Sequence, residues 1–314
     1  MKRHNAVSIK GTGSYLPGKK RTNKEIESGA NTTAVWIKER LGIEERRTVE
    51  NQTVSDLATL AAISALQSAK LDKEEIDMII VATSSPEKIS PATACTVHKN
   101  LGISRNIPCL DLNAVCAGFV FALHMATPLI SCGTYKNVMI IGSEVYSKIT
   151  DWSHRNCVFF GDGAGALILG ESKKGWIASQ INSNGSGTGS TGFTCPLDGK
   201  YTTNPKEVWD AATSLLPGSI ESILKMSGVN KEDINIFIPH QASVHMLLDI
   251  AKQVGLDEKK LKKVMHKYAN IAGASIPIAL DDAFSNGEIH IGSKILLSAI
   301  GSGWSWGSVV INYE

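Results

Sequence analysis

The chain has 314 residues, 43% of them hydrophobic, enough for a well-buried core in two average domains or one large α/β unit. Its net charge of +2 is too close to neutral for a nucleic-acid binder or a protein of acidic membrane surfaces. The longest apolar stretch, "AGFVFALHMATPLI", is too short for a bilayer, and no apolar run follows the basic start, so no membrane span or signal peptide is predicted and the chain is expected to be cytoplasmic.

In chain order, Thr53 and Asp56 open the first predicted helix as a capping box, and Val54, Leu57, Ala61, Ala65, Leu66 and Ala69 recur along it at helical spacing. "MIIVAT" (78–83) is a continuous apolar run, as in a strand covered on both faces. Ser90 before Pro91 reads as a helix N-cap. "CAGFVFALHMATPLISCG" from Cys116 is a small-residue helix ending in Gly133, and it leads to the strand "VMIIGSE". In "GDGAGALILGE" (161–171) the glycines read as tight turns before a strand. A dinucleotide fingerprint needs a helix there, so no NAD site is expected. "NSNGSGTGSTG" (182–192) reads as a surface loop. The six cysteines have neither CxxC nor zinc-type spacing, so they are expected to be free thiols in a reducing compartment, and no metal site is predicted.

The second half then repeats the first. "ESILKMSGVNKEDINIFIPH" from Glu221 echoes "ISALQSAKLDKEEIDMIIVA" from Ile63, with Lys231 opposite Lys73. "NIAGASIPIALDDAFSNG" from Asn270 echoes the helix that begins at Cys116, and leads to the strand "ILLSAIGSG". Two copies of one α/β pattern imply two sheets sandwiching helices about a pseudo-twofold axis. Under this alignment Cys116 and Asn270 are equivalent and are brought together by that axis. His240 ends the strand "INIFIP", where open α/β sheets collect ligands. Taken singly, the three read as a core thiol, a structural histidine and an N-cap. Taken together they have a chemistry. A helix N-terminus favours a thiolate. The thiolate can take an acyl group from a thioester. His and Asn can both donate hydrogen bonds to a developing oxyanion.

"DLNAVCAGF" (111–119), "FFGDGAGALIL" (159–169), "PHQA" (239–242), "YANIAGASIP" (268–277) and "GSGWSWGS" (301–308) resemble the hallmark blocks of β-ketoacyl-acyl-carrier-protein synthase III, a condensing enzyme of the thiolase superfamily. "GTGSYLPGKKRTN" and "WIKERLGIEERR" extend the resemblance, which runs from about Ser8 to Asn312. It implies an α/β, thiolase-like, five-layered αβαβα fold. The two duplicated halves would be 1–172, with the nucleophilic cysteine, and 173–314, with the histidine and asparagine. It also implies a homodimer, no metal or redox cofactor, and two substrates, an acyl-coenzyme A starter and a malonyl-acyl carrier protein. By the same resemblance Cys116 is the acylated nucleophile, and His240 and Asn270 bind the malonyl thioester oxygen. The backbone N–H groups of Cys116 and Ser302 form the oxyanion hole. Trp36 and Arg155 sandwich the adenine of coenzyme A, and Arg40 faces its phosphates.

The chain departs from the family pattern at several positions. Ser243 and His245 follow "PHQA" where asparagine and a carrier-docking arginine are common, and Asp210 stands where a docking lysine is common. Lys252 and the run "EKKLKK" (258–263) are the candidate replacements for that basic face. Ser302 replaces a glycine. Ser90 stands where a bulky residue often reaches into the partner's acyl pocket, which predicts a starter longer than acetyl. Two other readings remain open at this point. One is a specialised synthase or acyltransferase of secondary metabolism. The other is a non-catalytic partner subunit.

Overall fold

The computed structural model describes residues 5–187 and 192–314, so most of the glycine/serine loop is described and residues 188–191 of it lie outside the described residues. In chain order the elements are β1 (Ala6–Tyr15), β2 (Lys20–Thr22), α1 (Asn23–Ala30), α2 (Ala34–Leu41), β3 (Glu45–Arg47), α3 (Val54–Ala69), β4 (Met78–Ala82), α4 (Thr93–Leu101), β5 (Cys109–Leu112), α5 (Gly118–Ser131) and β6 (Asn137–Val145). They continue with β7 (Asp162–Ser172), β8 (Trp176–Ser183), β9 (Phe193–Thr194), β10 (Thr202–Thr203), α6 (Pro205–Ser227), β11 (Ile236–Pro239), α7 (Val244–Val254), α8 (Met265–Tyr268), α9 (Ser275–Ser285), β12 (Lys294–Gly301) and β13 (Ser305–Asn312).

One sheet has the order β1–β7–β6–β4–β5, and the other β11–β12–β13–β8. The second repeats the first four strands. In each, one parallel pair (β4 with β6, β11 with β12) is followed by two antiparallel pairs. Helices α5 and α9 lie between the sheets, α3 and α4 cover the outer face of the first, and α6 packs on the outer face of the second with α7 against it. Period-two alternation divides the strand side chains between these layers. In β4, Ile80 joins the central core with Phe119, Leu123, Ile276 and Leu297, while Ile79 and Val81 pack with Leu57 and Ala61 of α3. All five residues of β4 are buried, as its unbroken apolar run predicts. The capping box of Thr53 and Asp56 is formed.

Three local expectations are corrected. Ser90 is not a helix cap: α4 begins at Thr93 with Ala92 before it and no side-chain cap from that position. The Asp111 carboxylate of β5 takes the free N–H groups of Thr93 (2.6 Å) and Ala94 (2.8 Å) instead. The glycines of "GDGAG" do not form turns, because β7 already starts at Asp162. They are there for close packing: a Cβ at Gly165 would lie 2.6 Å from the Ile278 nitrogen of α9. Lastly, the run "EKKLKK" does not offer all its lysines to the candidate basic face. It is a short turn in which Lys262 is buried, paired with Asp282 (2.7 Å) and Glu288 (2.5 Å).

Candidate active site

The nucleophile candidate sits on a strained turn. Asn113 Oδ1 accepts a hydrogen bond from Val115 N–H (3.1 Å), and Val115 is held at φ 50°, a left-handed conformation costly for a β-branched residue. A 3-10 turn, Val115–Ala117, then carries Cys116 into α5. The second half builds the same device. Asn270 Oδ1 accepts from Ala272 N–H (2.7 Å), Ala272 has φ 39°, and the 3-10 turn Ala272–Ala274 enters α9. The structural equivalents are therefore Asn113 with Asn270, and Cys116 with Gly273. The alignment of Cys116 with Asn270 is offset by three residues: the echoed segments from Cys116 and from Asn270 have equal length, but α5 has 14 residues where α9 has 11. The turns nevertheless touch across the interior, and a Cβ at Gly273 would lie 3.2 Å from the Val115 carbonyl oxygen.

His240 follows β11, and its N–H donates to the Ser298 carbonyl of β12 (2.8 Å). The adjacent Gln241, fully buried, fastens this turn: its amide donates to the carbonyls of Pro239 (2.8 Å) and Lys262 (3.2 Å) and accepts from Val264 N–H (2.9 Å). The β12–β13 turn presses on the nucleophile from the other side. A Cβ at Gly301 would collide with the Ala114 carbonyl and lie 3.0 Å from the Cys116 nitrogen, so glycine is required there. Cys116, His240, Asn270, Ser302 and Arg40 line one cavity of about 360 Å³.

Burial sets the protonation states. Burial, and after it the nearby Glu144 carboxyl, push the Cys116 thiol well above its ordinary range, against a lowering by its own backbone N–H. Burial and Glu144 thus work against the thiolate expected from the helix N-terminus. Burial lowers His240 to about 4, so the imidazole is neutral. Glu144 is pushed up to about 7 by burial, against hydrogen bonds from Ser85, Ser84 and the Gly273 N–H. Among the described residues, no group of three or more His, Cys, Asp or Glu is placed to hold a metal ion.

Residues 110–185 match the family model described as 3-oxoacyl-[acyl-carrier-protein] synthase III, and residues 224–313 match the model of its C-terminal region. The chain is 39% identical to a β-ketoacyl-[acyl-carrier-protein] synthase III of Clostridium acetobutylicum, covering 98% of this chain and 99% of that one. It is 38% identical to the synthase of the same name from Oceanobacillus iheyensis, at 98% and 99% coverage. The crystal structure of 3-oxoacyl-[acyl-carrier-protein] synthase III from Aquifex aeolicus superposes with a TM-score of 0.94 at 36% identity, over 98% of this chain and 100% of that one. The chain belongs to the β-ketoacyl-[acyl-carrier-protein] synthase III family. It accordingly has the thiolase fold and is a condensing enzyme of the acyltransferase type.

The remaining residues singled out for this synthase fall in two places. Arg40 is at the cavity, and Trp36 lies one turn before it on α2. The Arg155 guanidinium lies 4.6 Å from the centroid of the Trp36 ring, so an adenine between them requires one of the two to swing away. Of the departures from the family pattern, Ser243 caps α7 by accepting from Met246 N–H (3.4 Å). His245 Nε2 is 2.8 Å from the Glu39 carbonyl, and Asp210 pairs with Lys206 (2.6 Å). Sequence reasoning missed Glu144 and Gln241. The one available signal for Glu144 was an acidic residue closing the apolar strand "VMIIGSE". It also missed the aromatic wall beside Cys116, where Tyr146 and Phe160 stack at 4.5 Å and Phe193 and Tyr201 at 5.4 Å, because these rings come from distant segments.

Proposed function

We propose that this synthase joins an acyl-coenzyme A starter to malonyl-acyl carrier protein by decarboxylating condensation, giving a β-ketoacyl product and initiating fatty acid synthesis. The observation that carries the reading is the convergence of Cys116, His240, Asn270 and the Gly301–Ser302 backbone on one cavity. In loading, the Cys116 sulfur attacks the thioester carbonyl carbon, and its proton leaves with the departing coenzyme A thiolate. Trp36, Arg155 and Arg40 hold the nucleotide end of that substrate. The N–H groups of Cys116 and Ser302 stabilise the oxyanion.

In condensation, His240 and Asn270 donate to the malonyl thioester oxygen. Asn270 suits this role because its Oδ1 is committed to Ala272 N–H, which leaves Nδ2 as the free end. A neutral His240 suits it because a ring N–H can donate without a buried charge. Carbon dioxide departs, the enolate carbon attacks the acyl carbonyl on Cys116, and the carbon–sulfur bond breaks.

The chain is read as two duplicated units, 1–172 and 173–314, which supply the cysteine and the His–Asn pair respectively. A homodimer is supported by β5, an edge strand with half-buried Cys109, Leu110 and Leu112, and by Ile89, in the segment between β4 and α4, 83% exposed in the single chain. Among the described residues no helix is long and apolar enough to cross a membrane, in keeping with a cytoplasmic site of action. A specialised synthase with a non-acetyl starter is the second reading. It is favoured by Ser90 and by the likeness to the priming β-ketosynthase of the R1128 polyketide pathway, at 26% identity and a TM-score of 0.93. Intact-protein mass spectrometry with a panel of acyl-coenzyme A thioesters, followed by a carbon dioxide release assay with malonyl-carrier protein, tests both. An acyl adduct with no carbon dioxide would overturn the condensing role, and the starter that loads fastest separates the two readings.

A further inference from the structure

Among the described residues, four buried side-chain polar atoms have no hydrogen-bond partner, and two of them, His240 Nδ1 and Ser302 Oγ, belong to residues that line the Cys116 cavity. The serine is the less expected of the pair. Other hydroxyls of the same sheet are satisfied: Ser298 and Ser308 are 3.0 Å apart, Ser219 and Ser308 2.9 Å, and Ser183 and Ser305 2.9 Å. A hydroxyl can rotate to reach any acceptor within range, so one left alone in a buried place lacks an acceptor in the protein itself. Its position indicates what it waits for. Ser302 follows Gly301, whose Cα is pressed against the turn that carries Cys116, with the Cys116 nitrogen 3.0 Å from where a Cβ would be. His240 is fastened one strand away, to Ser298. The chain at Ser302 is therefore held against the nucleophile turn, at the cavity that Cys116 shares with His240 and Asn270.

We infer that Ser302 Oγ donates a hydrogen bond to the acyl oxygen of the thioester at Cys116, a third donor beside the backbone N–H groups of Cys116 and Ser302. It is a catalytic residue for the two steps that pass through a tetrahedral adduct, loading and condensation. In each, the carbonyl carbon gains a bond to sulfur or carbon, its oxygen takes the negative charge, and the thiolate is then expelled. Malonyl decarboxylation forms its enolate elsewhere in the cavity and does not use this hydroxyl. The inference rests on Cys116 as the acylated residue.

The test compares wild type, Ser302→Ala, Ser302→Gly and Ser302→Thr with Cys116→Ala as control. Loading is followed by intact mass in rapid quench, decarboxylation by carbon dioxide release from malonyl-carrier protein, and the acyl carbonyl stretch by isotope-edited infrared spectroscopy. Ser302→Ala and Ser302→Gly are expected to slow loading by about 10- to 100-fold, toward the range seen when one oxyanion donor is removed. Decarboxylation should change by less than about twofold, and the carbonyl stretch should rise as the bond is lost. Ser302→Thr keeps the hydroxyl and should recover most of the loading rate. Glycine keeps the turn if alanine does not fold. Wild-type loading in both hydroxyl-free variants, or an equal loss in both half-reactions, overturns the inference. An adduct that persists in Cys116→Ala overturns instead the reading on which it rests.

Discussion

Cys116 and Glu144 oppose each other at the centre of the site. A carboxylate near a buried thiol raises the cost of forming a thiolate, and Glu144 is among the causes that hold Cys116 protonated. Glu144 also pays a desolvation penalty of its own. Its folded value of about 7 is above its ordinary 4.5, so its contribution to stability is full below 4.5 and is lost as pH rises through 7. That interval corresponds to about 3 kcal/mol. Glu144→Gln is therefore expected to flatten the decline in stability between pH 5 and 8 in denaturant titrations, and to move the pH profile of Cys116 alkylation to lower pH. An unmoved alkylation profile would remove the carboxylate from control of the thiol. For wild type, alkylation should still be rising with pH above 9. His240→Ala and Asn270→Ala are each expected to reduce malonyl decarboxylation by about 10²–10³. Loading of Cys116 should fall less, because neither residue is assigned to the acyl oxygen. Equal losses in separate half-reaction assays would mean that His240 also serves the thiol.

At the scale of elements, two helices depend on groups that come from elsewhere in the chain. Helix α4 has no cap of its own, and Asp111 of the edge strand supplies one. Asp111→Ala should cost about 1–2 kcal/mol, read as a lower Tm, since two helix-start N–H groups lose their acceptor. Helix α9, which follows the Asn270 turn, is seated on β7 through Gly165. Gly165→Ala places a methyl group 2.6 Å from the Ile278 nitrogen and should destabilise by more than a surface substitution, with loss of activity through the displaced Asn270 turn. A Gly165→Ala protein with unchanged Tm and activity would show that the helix can move aside freely.

For the whole molecule, the edge strand β5 and exposed Ile89 predict a dimer, and sedimentation should give twice the chain mass. Ile89→Asp, whose side chain is free in the single chain, should raise the dissociation constant without lowering the stability of the monomer. Ser90 stands exposed next to it, in the loop that the dimer reading places at the partner's acyl channel. A serine in place of a bulky residue leaves room for several carbons, each worth about 0.8 kcal/mol when buried. The expected result is a kcat/KM optimum at a starter longer than acetyl, with a shift toward acetyl in Ser90→Phe. An acetyl optimum unchanged by the mutation would leave Ser90 with no role in the pocket.

By itself the sequence determined the family, the buried strand β4 and the capped start of α3, and it singled out Cys116, His240 and Asn270 as candidates, because hydrophobic period, capping residues and motifs are local signals. An unbroken apolar run such as "MIIVAT" can only be covered on both faces, and "KEEIDMII" and "KEDINIFI" fold alike because they are nearly the same peptide. The true register between the halves was decided by the tertiary structure. The two echoed segments hid a difference of about one turn in helix length, so Asn270 is the equivalent of Asn113 and not of Cys116. The protonation of the thiol was likewise invisible in the sequence, since burial and Glu144 act through space from β6. The cap of α4 and the seat of α9 come from Asp111 and Gly165, which are distant in sequence from the elements they serve. Packing joins groups that the chain order keeps apart, and the electrostatics of a buried site depend on those joined groups.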